Sequence, residues 1–158
     1  MSWGLWVESK NMRKQHPEKF FSEEEKSRLV QAIQKAEALT SGEIRVHLAH
    51  QSEKSVFEEA KAVFEKLGMT KTKERNGILF FLSLKDRQFV ILGDQGIHAK
   101  VSDEFWHEIR DVVIRHFKEE KFIEGLVSGI EKCGKKLAHC FPRKSDDKNE
   151  LSDDVTTS

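Results

Sequence analysis

The sequence contains no tyrosine, two prolines, two cysteines and three methionines in 158 residues. It also lacks a surplus of either charge, with 27 basic residues against 27 acidic ones. General nucleic-acid binding rests on a basic excess, so nucleic acid is not an expected partner. No run approaches the ~18 apolar residues of a membrane span, and no integral membrane segment is expected. The opening residues MSWGLWVESKNMRKQHPEKFF lack a signal peptide's long apolar core and small-residue cleavage site; the expected location is the cytoplasm. Cys133 and Cys140 lie seven apart, about two turns on one helix and too far for a disulfide. Both are expected to be reduced thiols. There is no CxxC and no second Cys/His pair at zinc spacing. P-loop and GxGxxG motifs are missing, and Ser41, Ser52 and Ser83 lack the Gly-x-Ser-x-Gly context of a serine nucleophile. His47 and His50, three apart, face opposite sides of a strand. His107 and His116 share a helix but lie nine apart, so neither pair suits metal chelation.

What is present reads as one domain. Residues 1–21 form an N-terminal extension without clear period, in which Trp3, Leu5 and Trp6 are positioned to dock on the core or on a protein partner. Ser22 and Glu25 form a capping box, and Leu29, Val30, Ile33 and Ala36 mark one face of the helix that follows. That helix is expected to stop near Ser41-Gly42, with glycine as a left-handed terminator. Residues 43–50 alternate polar and apolar, the period of a half-buried strand. Ser55 and Glu58 form a second capping box, for a helix ending near Leu67 and Gly68. Ile78 to Leu82 is apolar on both faces, which suits a central strand covered on both sides. Lys85-Asp86-Arg87 makes a turn, and Phe89 to Leu92 returns. Ser102 caps a helix carrying Phe105, Trp106, Ile109, Val112, Val113 and Phe117 inward. A last helix runs from about Ile123 to Ala138, and Pro142 follows. The polar residues 142–158 read as a disordered tail. The reading is an α/β fold: a three-layer α/β/α sandwich on a small mixed sheet (a βαββαα core) preceded by an N-terminal helix. The domain occupies residues 22–141, and a monomer is expected.

The βαβ spacing makes the first two strands parallel, so they start at one end of the sheet. The third strand is antiparallel to the second and finishes at that end. This gathers Gly42, Glu43, Arg75, Asn76, Gly77, Gly93, Asp94 and Gly96 at one edge, with Asp103 on the next helix close by. Glu43, Asp94 and Asp103 are suitable oxygen ligands for calcium or magnesium. Gly42, Arg75, Asn76, Gly77, Gly93 and Gly96 would shape the ligand site. Arg75 and the helix N-terminus could take a phosphate instead, and a metal-assisted phosphate site would use both. Each residue also has a plainer reading. The glycines suit turns, Asp103 suits the first turn of any helix, and Glu43 could pair with Arg75 or Arg45. Asp86 and Arg87 suit a turn, and Lys118 to Lys121 a solvated charge run.

Gly42, Asn76-Gly77, Asp86-Arg87, Gly93 with Gly96, and Asp103 occur in the order seen in TPM-domain proteins. Phe117-Lys118, Phe122-x-x-Gly125-Leu126 and Gly129-Ile130 resemble that family's closing helices. The resemblance covers roughly residues 22–141. It implies an α/β/α sandwich, a phosphatase activity described for plant members, and divalent-cation binding near the glycine-rich edge. Two features depart from the pattern. Gly93-Asp94-Gln95-Gly96-Ile97-His98 replaces a Gly-aromatic-Gly-Leu-Glu run, so His98 stands where an acid is usual. Most members are secreted or anchored, whereas this chain resembles a stand-alone soluble bacterial subgroup with Gly-Glu-Ile-Arg-Val in the first strand. The expected function is a cation-binding TPM domain with weak or absent phosphatase activity. The alternative is a non-enzymatic interaction module acting on a membrane or stress-related complex.

Overall fold

The computed structural model describes residues 2–6, 16–144 and 151–158. A five-stranded sheet lies at the centre, in the order β1-β4-β3-β2-β5. Strands β2 (Glu43–Ala49) and β3 (Gly77–Ser83) are parallel, with Glu43 opposite Gly77. Strand β4 (Gln88–Gly93) returns antiparallel to β3, with Gly93 opposite Ile78. This is the expected βαββ core. All seven residues of β3 are buried, as its run of apolar residues on both faces requires.

Helices cover both faces, completing the three-layer sandwich. On one side α2 (Glu23–Glu37), α5 (Asp103–Lys118) and α6 (Phe122–Cys140) pack on Ile44, Val46, Leu48, Ile78, Phe80, Leu82, Phe89 and Ile91. On the other, α3 (Val56–Lys66) packs Val56, Ala60, Val63 and Phe64 against Leu79, Phe81, Val90 and Leu92. The alternation along each strand produces the two cores, because neighbouring side chains point to opposite faces. The Ser22 capping box is formed in both directions, and Ser55 and Ser102 cap α3 and α5. Cys133 and Cys140 are free thiols. No described helix is long and apolar enough to cross a membrane.

Two sheet strands come from segments the sequence leaves without regular structure. Strand β1 (Ser2–Leu5) pairs antiparallel with β4. Trp6 follows it into the core and meets Phe117 edge-on at 5.0 Å and Phe122 at 6.0 Å. Helix α1 (Pro17–Phe20) adds Phe20, 5.0 Å from Phe122. Each such aromatic pair adds about 1 kcal/mol beyond area burial. Trp6 thus docks on the core, while Trp3 and Leu5 remain exposed. At the other edge β5 (Thr156–Thr157) runs parallel to β2. Thr156–Thr157 thus form a strand within the segment expected to be a tail, through backbone pairing with an open strand edge that an apolar pattern does not announce. Positions 145–150 of that tail lie outside the described residues.

Candidate functional site

The chain brings the starts of β2 and β3 and the end of β4 to one edge. There the Asp94 N–H donates to the Gly77 carbonyl at 2.9 Å, and the Gly96 N–H to the Arg75 carbonyl at 2.7 Å. Asp94 begins a short helix α4 (Gln95–His98), accepting from the Gln95 N–H at 2.8 Å. Its carboxylate also takes both arms of Arg75, with Nε to Oδ2 at 2.6 Å and Nη2 to Oδ1 at 2.9 Å. Arg75 adopts φ 53°, a left-handed conformation unusual for a side chain with Cβ, and the bidentate pair secures that turn. Asp94→Ala removes a helix cap, by itself worth about 1 kcal/mol, and also frees Arg75. A urea midpoint that falls by more than a cap deletion alone is the expected result.

Beside this pair, Asn76 is buried. Its Nδ2 donates to Ser41 Oγ at 3.1 Å, and Ser41 Oγ donates to Glu74 Oε2 at 3.1 Å. Ser41 is held by its own N–H donating to the Phe141 carbonyl at 3.1 Å. Among the described residues Asn76 Oδ1 has no hydrogen-bond partner. A buried amide oxygen left in this way costs roughly 1–3 kcal/mol. Ser41 and Glu74 are half-buried, so this oxygen-rich corner is open to solvent on one side.

The three expected metal acids do not converge. Among the described residues no group of three or more His, Cys, Asp or Glu side chains is placed to hold a metal ion. The reasons are local. Asp94 is neutralised by Arg75. Asp103 sits exposed in the first turn of α5. Glu43 is buried on the α3 face of β2, where its charge acts on Glu37 and Arg45. The glycines also have another role than expected. Gly42, Gly77, Gly93 and Gly96 are not in the left-handed region, and α2 ends at Ala38 before Gly42 is reached. They permit close approach instead. A Cβ on Gly93 would lie 2.3 Å from Trp106 Cη2, and one on Gly96 2.1 Å from the Glu74 carbonyl oxygen.

A second polar strip runs along the outer edge of β2. Glu37 Oε2 accepts from the Ile44 N–H at 2.7 Å. Burial, then a hydrogen bond with Asp153, pushes the Glu37 carboxyl up to about 10. His47 lies between Thr156 Oγ1 and Ser158 Oγ, each 2.7 Å from a ring nitrogen, and stacks on Phe81. Burial, with Arg45 and Lys66 adding to it, pushes His47 down to about 4. Glu37, Ser41 and Glu74 are not among the site residues expected from sequence. Their neighbours Gly42 and Asn76 were the available signal for the last two.

The mixed sheet with helices on both faces defines a small α/β sandwich domain. A TPM-domain family model matches residues 15–136, and the chain belongs to that family. It is similar to the BA42 protein from the psychrophilic bacterium Bizionia argentinensis, whose NMR structure is 47% identical with a TM-score of 0.84. That match covers 89% of this chain and 97% of the other. The N-terminal domain of cg2496 protein from Corynebacterium glutamicum shares the fold, with a TM-score of 0.57 at 15% identity, over 96% of this chain and 93% of that one. No curated protein matches the chain.

Proposed function

We propose that this TPM domain binds a divalent cation, calcium or magnesium, at the corner formed by Ser41, Glu74 and Asn76. The observation that carries this is the buried Asn76 Oδ1 without a hydrogen-bond partner, next to a hydroxyl and a carboxylate within one hydrogen-bonded chain. Hard cations prefer oxygen ligands of these kinds. One carboxylate makes a weak site, with Kd on the order of 10⁻³ M. The same geometry favours binding over phosphatase turnover. Asp94, the acid a hydrolytic reading would use, has one oxygen on Arg75 and the other shared between Arg75 and the Gln95 N–H. The alternative of an interaction module draws its support from Trp3 and Leu5, exposed side by side on the β1 edge.

Cation at about ten times Kd stabilises the folded state by about 1.4 kcal/mol, a rise in Tm of roughly 3–5 °C. Glu74→Gln, at a half-buried position, keeps the shape and is expected to abolish that rise. A rise of equal size in Glu74→Gln would move the binding elsewhere and defeat this reading.

A further inference from the structure

Although the whole chain is neutral, its charge is unevenly placed. Residues 132–144 carry Lys132, Lys135, Lys136, His139, Arg143 and Lys144 and no acid. On the outer face of the helical layer, α6 lies between α2 and α5. Lys132, Lys135, Lys136 and His139 face a cleft of about 460 Å³ toward α5, where Glu104 and Glu108 stand opposite. On the α2 side lies an apolar groove of about 510 Å³, floored by Ala32, Ala36, Gly134 and Ala138. Its rim is Lys35, Lys135 and Glu131, with Leu39 at its end. Leu39 is 70% exposed, the most exposed large apolar side chain among the described residues. Arg143 is tied to the same turn. Its N–H donates to the Leu39 carbonyl at 3.2 Å, and its Nη1 donates to the Glu37 carbonyl at 3.2 Å.

We propose that this face docks on an anionic lipid surface, with Leu39 entering the interface and Lys35, Lys132 and Lys135 meeting the headgroups. The occupant follows from charge complementarity and shape. Lys35 and Lys135 beside a projecting apolar side chain, with Lys132 on the same helix as Lys135, match negative headgroups above hydrocarbon. Lysine stems lie along apolar surface while their charges stay at the polar boundary. A partner helix would need several anchors spaced along a groove. Here the groove floor is alanine and glycine, and the one large apolar side chain among its described residues, Leu39, projects outward at its end. Glu131 sits on the groove rim and opposes the contact, so binding is reversible and dependent on salt.

The test is flotation of the full chain with vesicles of phosphatidylcholine alone and of an equimolar mixture with phosphatidylglycerol. Binding is expected only to the mixture. It should be lost when salt is raised from about 0.1 M to about 1 M, which shortens the Debye length from ~10 Å to ~3 Å. The double variant Lys132→Glu/Lys135→Glu is expected to bind roughly tenfold or more weakly, and Leu39→Ser severalfold more weakly. The same charge change on the α3 side, Lys54→Glu/Lys61→Glu, should leave binding unchanged. All five positions are exposed, and unchanged thermal melts confirm that the variants fold. The proposal is overturned by no partition into anionic vesicles, or by wild-type binding in either α6-face variant. Equal loss in the α3-side control also overturns it. Binding to polyglutamate without binding to vesicles would assign the face to an acidic protein and reject the lipid surface.

Discussion

Gly96→Ala is expected to cost about 3 kcal/mol and to lower Tm by roughly 6–12 °C. The added Cβ would stand 2.1 Å from the Glu74 carbonyl oxygen and 2.5 Å from that of Arg75. Both obstacles are backbone, so no side chain can rotate away. Helix α4 must lift from the turn, which breaks the Gly96 to Arg75 hydrogen bond and strains the Arg75–Asp94 pair. Gly68→Ala is the control. Gly68 has φ 75° and nothing within 4 Å of its would-be Cβ, so its cost is the left-handed penalty of about 1–2 kcal/mol. Denaturant unfolding of the two variants separates close approach from backbone conformation. A Gly96→Ala variant no less stable than Gly68→Ala would contradict the packing described.

The second large effect is in the pH dependence of stability. Glu37 is protonated in the folded protein up to about 10, whereas an unfolded glutamate loses its proton near 4.5. Across that window the folded state holds one more proton, so Glu37 makes stability fall with rising pH, by about 1.4 kcal/mol per unit. His47 acts in the opposite sense. It stays neutral in the fold down to about 4 against an ordinary 6.5, so its contribution is lost as pH falls through that window. The two slopes offset one another between 4.5 and 6.5, and Glu37 acts alone above 6.5. Glu37→Gln is expected to gain on wild type progressively from pH 6.5 to pH 9. His47→Gln should uncover the Glu37 slope below 6.5. Urea unfolding at stepped pH reads both as differences from wild type, in which groups that do not interact with Glu37 or His47 cancel. A Glu37→Gln difference that is flat above pH 6.5 would show that Glu37 is ionised in the fold.

Local chemistry made much of the fold legible. The Ser22, Ser55 and Ser102 caps, the both-face apolar run of β3 and the βαβ spacing each follow from neighbours within a few residues. What escaped rests on distant contacts. Strand β1 has four residues and pairs with β4 more than 80 positions later. Strand β5 has two threonines, and its partner β2 begins more than 100 positions earlier. Glu37 reads as an ordinary exposed helix acid until the C-terminal segment covers it. At the edge, the meeting of Arg75, Asn76 and Asp94 was readable from hairpin geometry. That Arg75 would consume Asp94 was not, because both remain plausible ligands until their side chains are placed. The glycines were visible as a pattern, but their purpose depends on Trp106, Leu137 and the 74–75 backbone, which sequence spacing does not place.

The most direct test of the cation corner is an amide-resolved NMR titration with calcium and then magnesium. Shifts that saturate together at Ser41, Gly42 and Glu74 to Gly77, and that vanish in Glu74→Gln, are the expected result. Shifts confined to Asp103 or to the acidic residues 146–154, or no saturating shift at Asn76, would contradict it.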